Sequence, residues 1–88
     1  SYSDSIDKAF KIIQDTLNKD DRLIETKEKE PQIFVSALAD SSVNITARIW
    51  VKTSECLQAR WDLTKAIKEA LDKGGITIPF PTQIALHY

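Results

Sequence analysis

Asp40-Ser-Ser-Val-Asn-Ile-Thr-Ala-Arg-Ile-Trp-Val51 reads as a turn followed by a strand, and that reading decides the fold. Val43, Ile45, Ala47, Ile49 and Val51 form an apolar row, opposite Asn44, Thr46, Arg48, Trp50 and Lys52. A period of two is what a strand with one buried face requires, and the β-branched and aromatic residues suit a pleated surface. On the near side of the turn, Ile33, Val35, Ala37 and Ala39 share one face, while Phe34, Ser36 and Leu38 share the other. Asp40-Ser-Ser42 supplies turn chemistry, so the two runs make a hairpin with one core face.

Downstream, Thr53 and Ser54 are read as caps of a helix. In it Cys56, Ala59, Leu63, Ala66, Ile67, Ala70 and Leu71 follow three-and-four spacing along one side. Lys73 and then Gly74-Gly75 stop this helix, because glycine tolerates the left-handed cap conformation. Pro79 and Pro81 keep the next stretch extended, and Gln83 to Tyr88 alternates as a final strand. Upstream, Ser3, Asp4 and Ser5 offer N-cap oxygens to a first helix whose stripe is Ile6, Phe10, Ile13 and Leu17, ending near Asn18 to Asp20. Asp21 to Glu30, with the charged run Lys27-Glu-Lys-Glu30, is a connector that has room for a short edge strand.

The order is helix, strand, strand, helix, strand. That is an α+β two-layer sandwich, two helices on one face of a mostly antiparallel sheet, and it matches a ferredoxin-like βαββαβ unit lacking its first strand. The missing strand would hold a central slot, whose backbone groups need partners. A neighbouring copy or a rearranged terminal strand is expected to fill it. Residues 1–82 form the α+β unit, and 83–88 form a terminal strand.

Eighty-eight residues fit one domain. Twelve basic and thirteen acidic residues leave a formal charge of −1, which builds in no attraction to a phosphate backbone or anionic lipid. Nucleic acid is therefore not an expected partner. The one cysteine, Cys56, cannot make an intrachain disulfide, in keeping with a reducing compartment. No run approaches the roughly 18 apolar residues of a membrane span, so no direct membrane insertion is expected of this stretch.

The residues give no reactive constellation. Cys56 lies in the first turn of a helix, where a thiolate is favoured, but has no second cysteine, and the only histidine is His87. His87 has no companions at metal-ligand spacing. Asp40-Ser-Ser42 has no matched histidine base, and Gly74-Gly75 is too sparse for a phosphate loop. We expect no enzyme activity, no catalytic residue, no metal and no cofactor. What the pattern does offer is contact surface. Arg48 and Trp50, with Phe34 and Leu38, make a patch on the sheet face opposite the core row; such patches often mark interfaces, the alternative being cover by the connectors or the proline tail. Trp61, on the flank of the second helix's stripe, is expected to pack against the tail that contains Phe80.

Several short motifs carry a family resemblance. They are the helix start Tyr2 to Asp7, the hairpin serines Ser41-Ser42, Arg48-Ile49-Trp50, Trp61-Asp62-Leu63, Ile67-Lys68, Gly75-Ile76 and Pro79-Phe80-Pro81. Together, over nearly the entire chain, they resemble the C-terminal cytoplasmic domain of the small-conductance mechanosensitive (MscS-like) channel family. One departure is Thr82, where members usually carry glutamine directly after the second proline. The resemblance implies a homoheptameric channel in the bacterial inner membrane that opens under tension and releases small solutes in osmotic downshock. This domain would wall a cage on the cytoplasmic face. Its last strand, Gln83 to Tyr88, would join symmetry mates in a small barrel, which adds Gln83, Ile84 and Leu86 to the candidate interface. The pore helices and middle β domain are absent from this chain.

Two other functions suit the same topology, an RNA-binding domain and a small-molecule-binding regulatory domain. The RNA-binding version stacks bases on aromatics of its first and third strands, and this chain lacks the first strand and the glycine-aromatic motif.

Overall fold

The structure, a computed structural model, describes residues 2–39, 42–76 and 82–87. Helix α1 is Tyr2–Asn18, strands β1 and β2 are Gln32–Ala39 and Ser42–Trp50, helix α2 is Cys56–Lys73, and strand β3 is Thr82–His87. The expected order α-β-β-α-β is the observed one. Asp40 and Ser41 of the expected turn, and the tail residues 77–81, lie outside the described residues.

In β2 the apolar row faces a common core. Ile45, Ala47, Ile49 and Val51 are fully buried and Val43 nearly so. They pack with Ala9, Ile13 and Leu17 of α1 and with Ala59, Leu63, Ile67 and Leu71 of α2, which puts both helices on one side of the sheet. Each large side chain buried this way contributes roughly 1.5–3 kcal/mol of hydrophobic stabilisation, so the central strand and the two helical stripes carry the fold.

Both helix starts differ from the cap reading. Helix α1 already begins at Tyr2, which puts Ser3, Asp4 and Ser5 inside its first turn. Thr53 and Ser54 form a 3-10 turn, Thr53–Glu55, ahead of α2, whose N-cap is Glu55 with no side-chain cap hydrogen bond. The turn is closed by Glu55 N–H donating to the Lys52 carbonyl (2.9 Å). Backbone bonding in that turn replaces the hydroxyl cap.

The helix stop has a definite geometry. Ile76 N–H donates to the Leu71 carbonyl and Gly75 N–H to the Asp72 carbonyl, both at 3.1 Å, with Gly75 at φ 77°. This is a Schellman cap, in which the left-handed residue favours glycine. Gly74 does a different job. A Cβ there would come within 2.6 Å of Ile12 Cδ1, the far end of a flexible side chain, so Gly74 leaves that side chain its room at the end of α2.

The sheet is mixed, with strand order β1-β2-β3. β1 pairs antiparallel with β2, and β3 pairs parallel with β2, from Ile45 opposite Thr82 to Trp50 opposite His87. The terminal strand thus lies directly beside β2, in the slot that the missing first strand would have kept between them. A strand–helix–strand crossover that returns to the neighbouring position produces a parallel pair, which is why half of the pairing is parallel. No strand forms in the connector, although Ile24 N–H donates to the Trp50 carbonyl at 2.7 Å.

Candidate functional site

The side of the sheet away from the helices is built on the second row of β2. Asn44, Thr46, Arg48 and Trp50 alternate with the core residues, flanked by Gln32 and Phe34 of β1 and by Gln83 and Ala85 of β3. Phe34 and Trp50 are half-buried, and Thr46, between Phe34 and Gln83 in register, is only 8% exposed.

Arg48 is the organising group. Its guanidinium carbon lies 5.3 Å from the centroid of the Phe34 ring, within cation–π range, and its Nη1 donates to Gln32 Oε1 at 3.2 Å. The Nε of Arg48 is buried and has no hydrogen-bond partner among the described residues. Phe34 and Arg48 meet because Phe34 pairs with Thr46 and Gln32 with Arg48, so the arginine reaches both β1 side chains from one position.

Leu38 does not share this face. The hairpin register shifts between Val35 and Ala37, so Ala37 stands opposite Asn44 and Leu38 opposite Val43 of the core row. An extra residue at Ser36 exchanges the two faces of the strand, as a bulge must. Leu38 ends on the helix side, 78% exposed. The bulge also leaves a groove of about 350 Å³ lined by Ser36, Ala37, Asn44, Ile45 and Gln83.

The other candidates separate in the same manner. Gln83 is exposed on the open face opposite Thr46, whereas Ile84 (8% exposed) and Leu86 pair with Ala47 and Ile49 and pack on the core of their own chain. Trp61 is 59% exposed, and its expected partner Phe80 lies outside the described residues. Leu57, not singled out from the sequence, is 59% exposed one turn before Trp61. The signal for it was present, since positions four apart are neighbours on a helix. Cys56 is half-buried and packs beside the core.

A separate charged cluster joins the end of α1 to α2. Arg22 forks onto Asp20, Nε to Oδ1 at 3.0 Å and Nη2 to Oδ2 at 2.6 Å, while Nη1 reaches Asp62 Oδ2 at 2.9 Å. The hydrogen bond from the Arg22 side chain holds the Asp20 carboxyl below its usual range, against the opposing effect of burial. The Asp62 carboxyl is also lowered, first by the Gln58 amide and then by Arg22. A carboxyl lowered in the folded state stabilises the fold fully above its unfolded value, near pH 4, and that contribution is lost as pH falls through the folded value. Loss of the part-buried fork onto Asp20 in Arg22→Ala should therefore cost on the order of 1 kcal/mol at pH 7. In thermal melts, its deficit against the parent chain should shrink as the pH is taken from 5 towards 2.

Comparison with known proteins bears directly on this arrangement. The family described as "Mechanosensitive ion channel MscS, C-terminal" matches residues 1–78. The chain belongs to the MscS family. Among its relatives, an uncharacterized MscS family protein of Archaeoglobus fulgidus is 41% identical over 83 residues, covering 94% of this chain and 29% of that protein. An uncharacterized MscS family protein of Buchnera aphidicola is 39% identical over 87 residues, covering 99% of this chain and 28% of that protein. A protein named small-conductance mechanosensitive channel, from Edwardsiella ictaluri, is 30% identical over 87 residues, covering 99% of this chain and 29% of that protein. No solved structure matches. This MscS C-terminal domain spans under a third of the length of these relatives. Among its described residues, no helix is long and apolar enough to cross a membrane.

Proposed function

We propose that this domain forms part of the cytoplasmic cage of a tension-gated homo-oligomeric channel, a heptamer by its family resemblance, and that the open sheet face carries the contact between subunits. The observation that supports the contact is the composition of that face. Phe34, Arg48 and Trp50 lie together on it, and buried aromatic and arginine anchors are the residues that dominate protein interfaces. The Phe34 ring is already engaged by the Arg48 guanidinium, which argues against a surface kept free for stacking bases. The domain's work in this reading is assembly and support of gating, with no chemistry of its own.

Residues 83–88 are assigned to the same assembly as the strand nearest the symmetry axis. That role competes with the seat of β3 on β2, because Ile84 cannot lie against its own core and join a barrel of symmetry mates at once. Joining the barrel therefore means leaving β2.

The full-length protein tests the reading in patches of channel-free membrane. Tension-activated current carried by the full-length protein, and none by this domain alone, is the expected result. No tension-activated current from the full-length protein would remove the channel assignment.

A further inference from the structure

Charge is distributed unevenly between the sheet and the rest of the chain. None of the thirteen Asp and Glu residues falls in β1, β2 or β3, and the only Lys or Arg in the three strands is Arg48. A cation on an otherwise uncharged sheet face, with no carboxylate in the same sheet, has no counter-charge on that face among the described residues. The geometry around Arg48 shows which part of the group is left over. Nη1 is committed to Gln32, one side of the guanidinium plane lies over Phe34, and Nε has no acceptor among the described residues. Nε and Nη2 form the edge of a guanidinium that takes a carboxylate with two parallel hydrogen bonds. A buried donor without an acceptor is costly, and the cost is relieved when an acceptor arrives.

Resting on the assignment of the open face to a subunit contact, we infer that Arg48 receives a carboxylate from a second copy of this protein through its Nε–Nη2 edge. The carboxylate comes from the helix or connector surface of the neighbour, where all the acidic residues but Asp40 of the hairpin turn lie. Sheet face on one copy and helix or connector surface on the next are different patches, so the contact is head-to-tail, the type that closes into a ring. Phe34 and Trp50 supply the apolar surround that excludes water from the ion pair. The Gln32 bond, at 3.2 Å the long end of the normal range, lets the guanidinium swing the short distance that exposes Nε to the incoming group.

The test is subunit association of the full-length protein on dilution, followed by native mass spectrometry, for the parent, Arg48→Lys, Arg48→Ala and Trp50→Ala. Lysine keeps the charge but has neither the fork nor the planar stack. The inference predicts that Arg48→Lys shifts the dissociation midpoint at least about tenfold, close to Arg48→Ala, with the melting temperature of the 88-residue domain little changed. If Arg48→Lys assembles like the parent while Trp50→Ala does not, the carboxylate contact is wrong and the interface stands. If Trp50→Ala also assembles normally, the interface itself is wrong. A melting shift of the isolated domain by inorganic phosphate that Arg48→Lys abolishes, with assembly unchanged, would give the fork to a phosphate and overturn the inference.

Discussion

Ile45→Ala is expected to destabilise the domain by about 2–5 kcal/mol, the range for removing a large aliphatic side chain from a packed core. Ile45 is fully buried in the central strand, with Val35 opposite on β1 and Thr82 opposite on β3, so a cavity there touches both strand seams. Its neighbours cannot readily collapse into the space. The paired β-strands hold the backbone on either side, and the stripes of α1 and α2 close the layer above. Small domains have only about 5–15 kcal/mol of stability in total, so this one side chain accounts for a large share of it. Urea unfolding measures the loss as a lowered midpoint at unchanged slope. Ile45→Val, which removes a single methyl group, should cost only about 0.5–1.5 kcal/mol. A loss below 1 kcal/mol for Ile45→Ala would mean that β2 is not the centre of the core.

The residues that were legible in the sequence are those whose burial is periodic. Val43 to Val51 alternate without interruption, and Ala59, Leu63, Ile67 and Leu71 repeat at helical spacing, so both buried faces follow from the sequence. Gly74-Gly75 marked the helix stop because the left-handed backbone at Gly75 leaves few other choices. The bulge at Ser36 was hidden for a physical reason. Ala37 and Ala39 are small enough to sit on either face, so the period of two ran through the extra residue without a visible break. An unbroken period of two therefore puts Leu38 on the open face, whereas the register puts it opposite Val43.

The caps illustrate a different limit. Thr53 and Ser54 have the right oxygens, but a 3-10 turn at the same place satisfies the backbone by itself, and composition does not separate the two. The position of β3 is a matter of topology. Its alternation shows that Ile84 and Leu86 share a face, while only the pairing with Ala47 and Ile49 shows that this face is the core. The side chains of β2 outline the open face, and the structure adds the Phe34–Arg48–Gln32 cluster and an Nε at its centre with no hydrogen-bond partner among the described residues.

Trp50→Ala is expected to weaken association of the full-length protein by about 2–4 kcal/mol per contact, or roughly thirtyfold to a thousandfold, as central aromatic anchors do. The effect should fall on assembly more than on folding. Trp50 is at the end of β2 on the side away from the core, and the backbone bond from Ile24 to its carbonyl survives the substitution. The isolated domain should therefore melt within a few degrees of the parent. The mass of the full-length Trp50→Ala protein in detergent, compared with the parent at equal concentration, tests most directly whether the open sheet face joins one subunit to the next. Fewer copies per particle, with the domain still folded, is the predicted result. The parent's mass in a folded variant would contradict it.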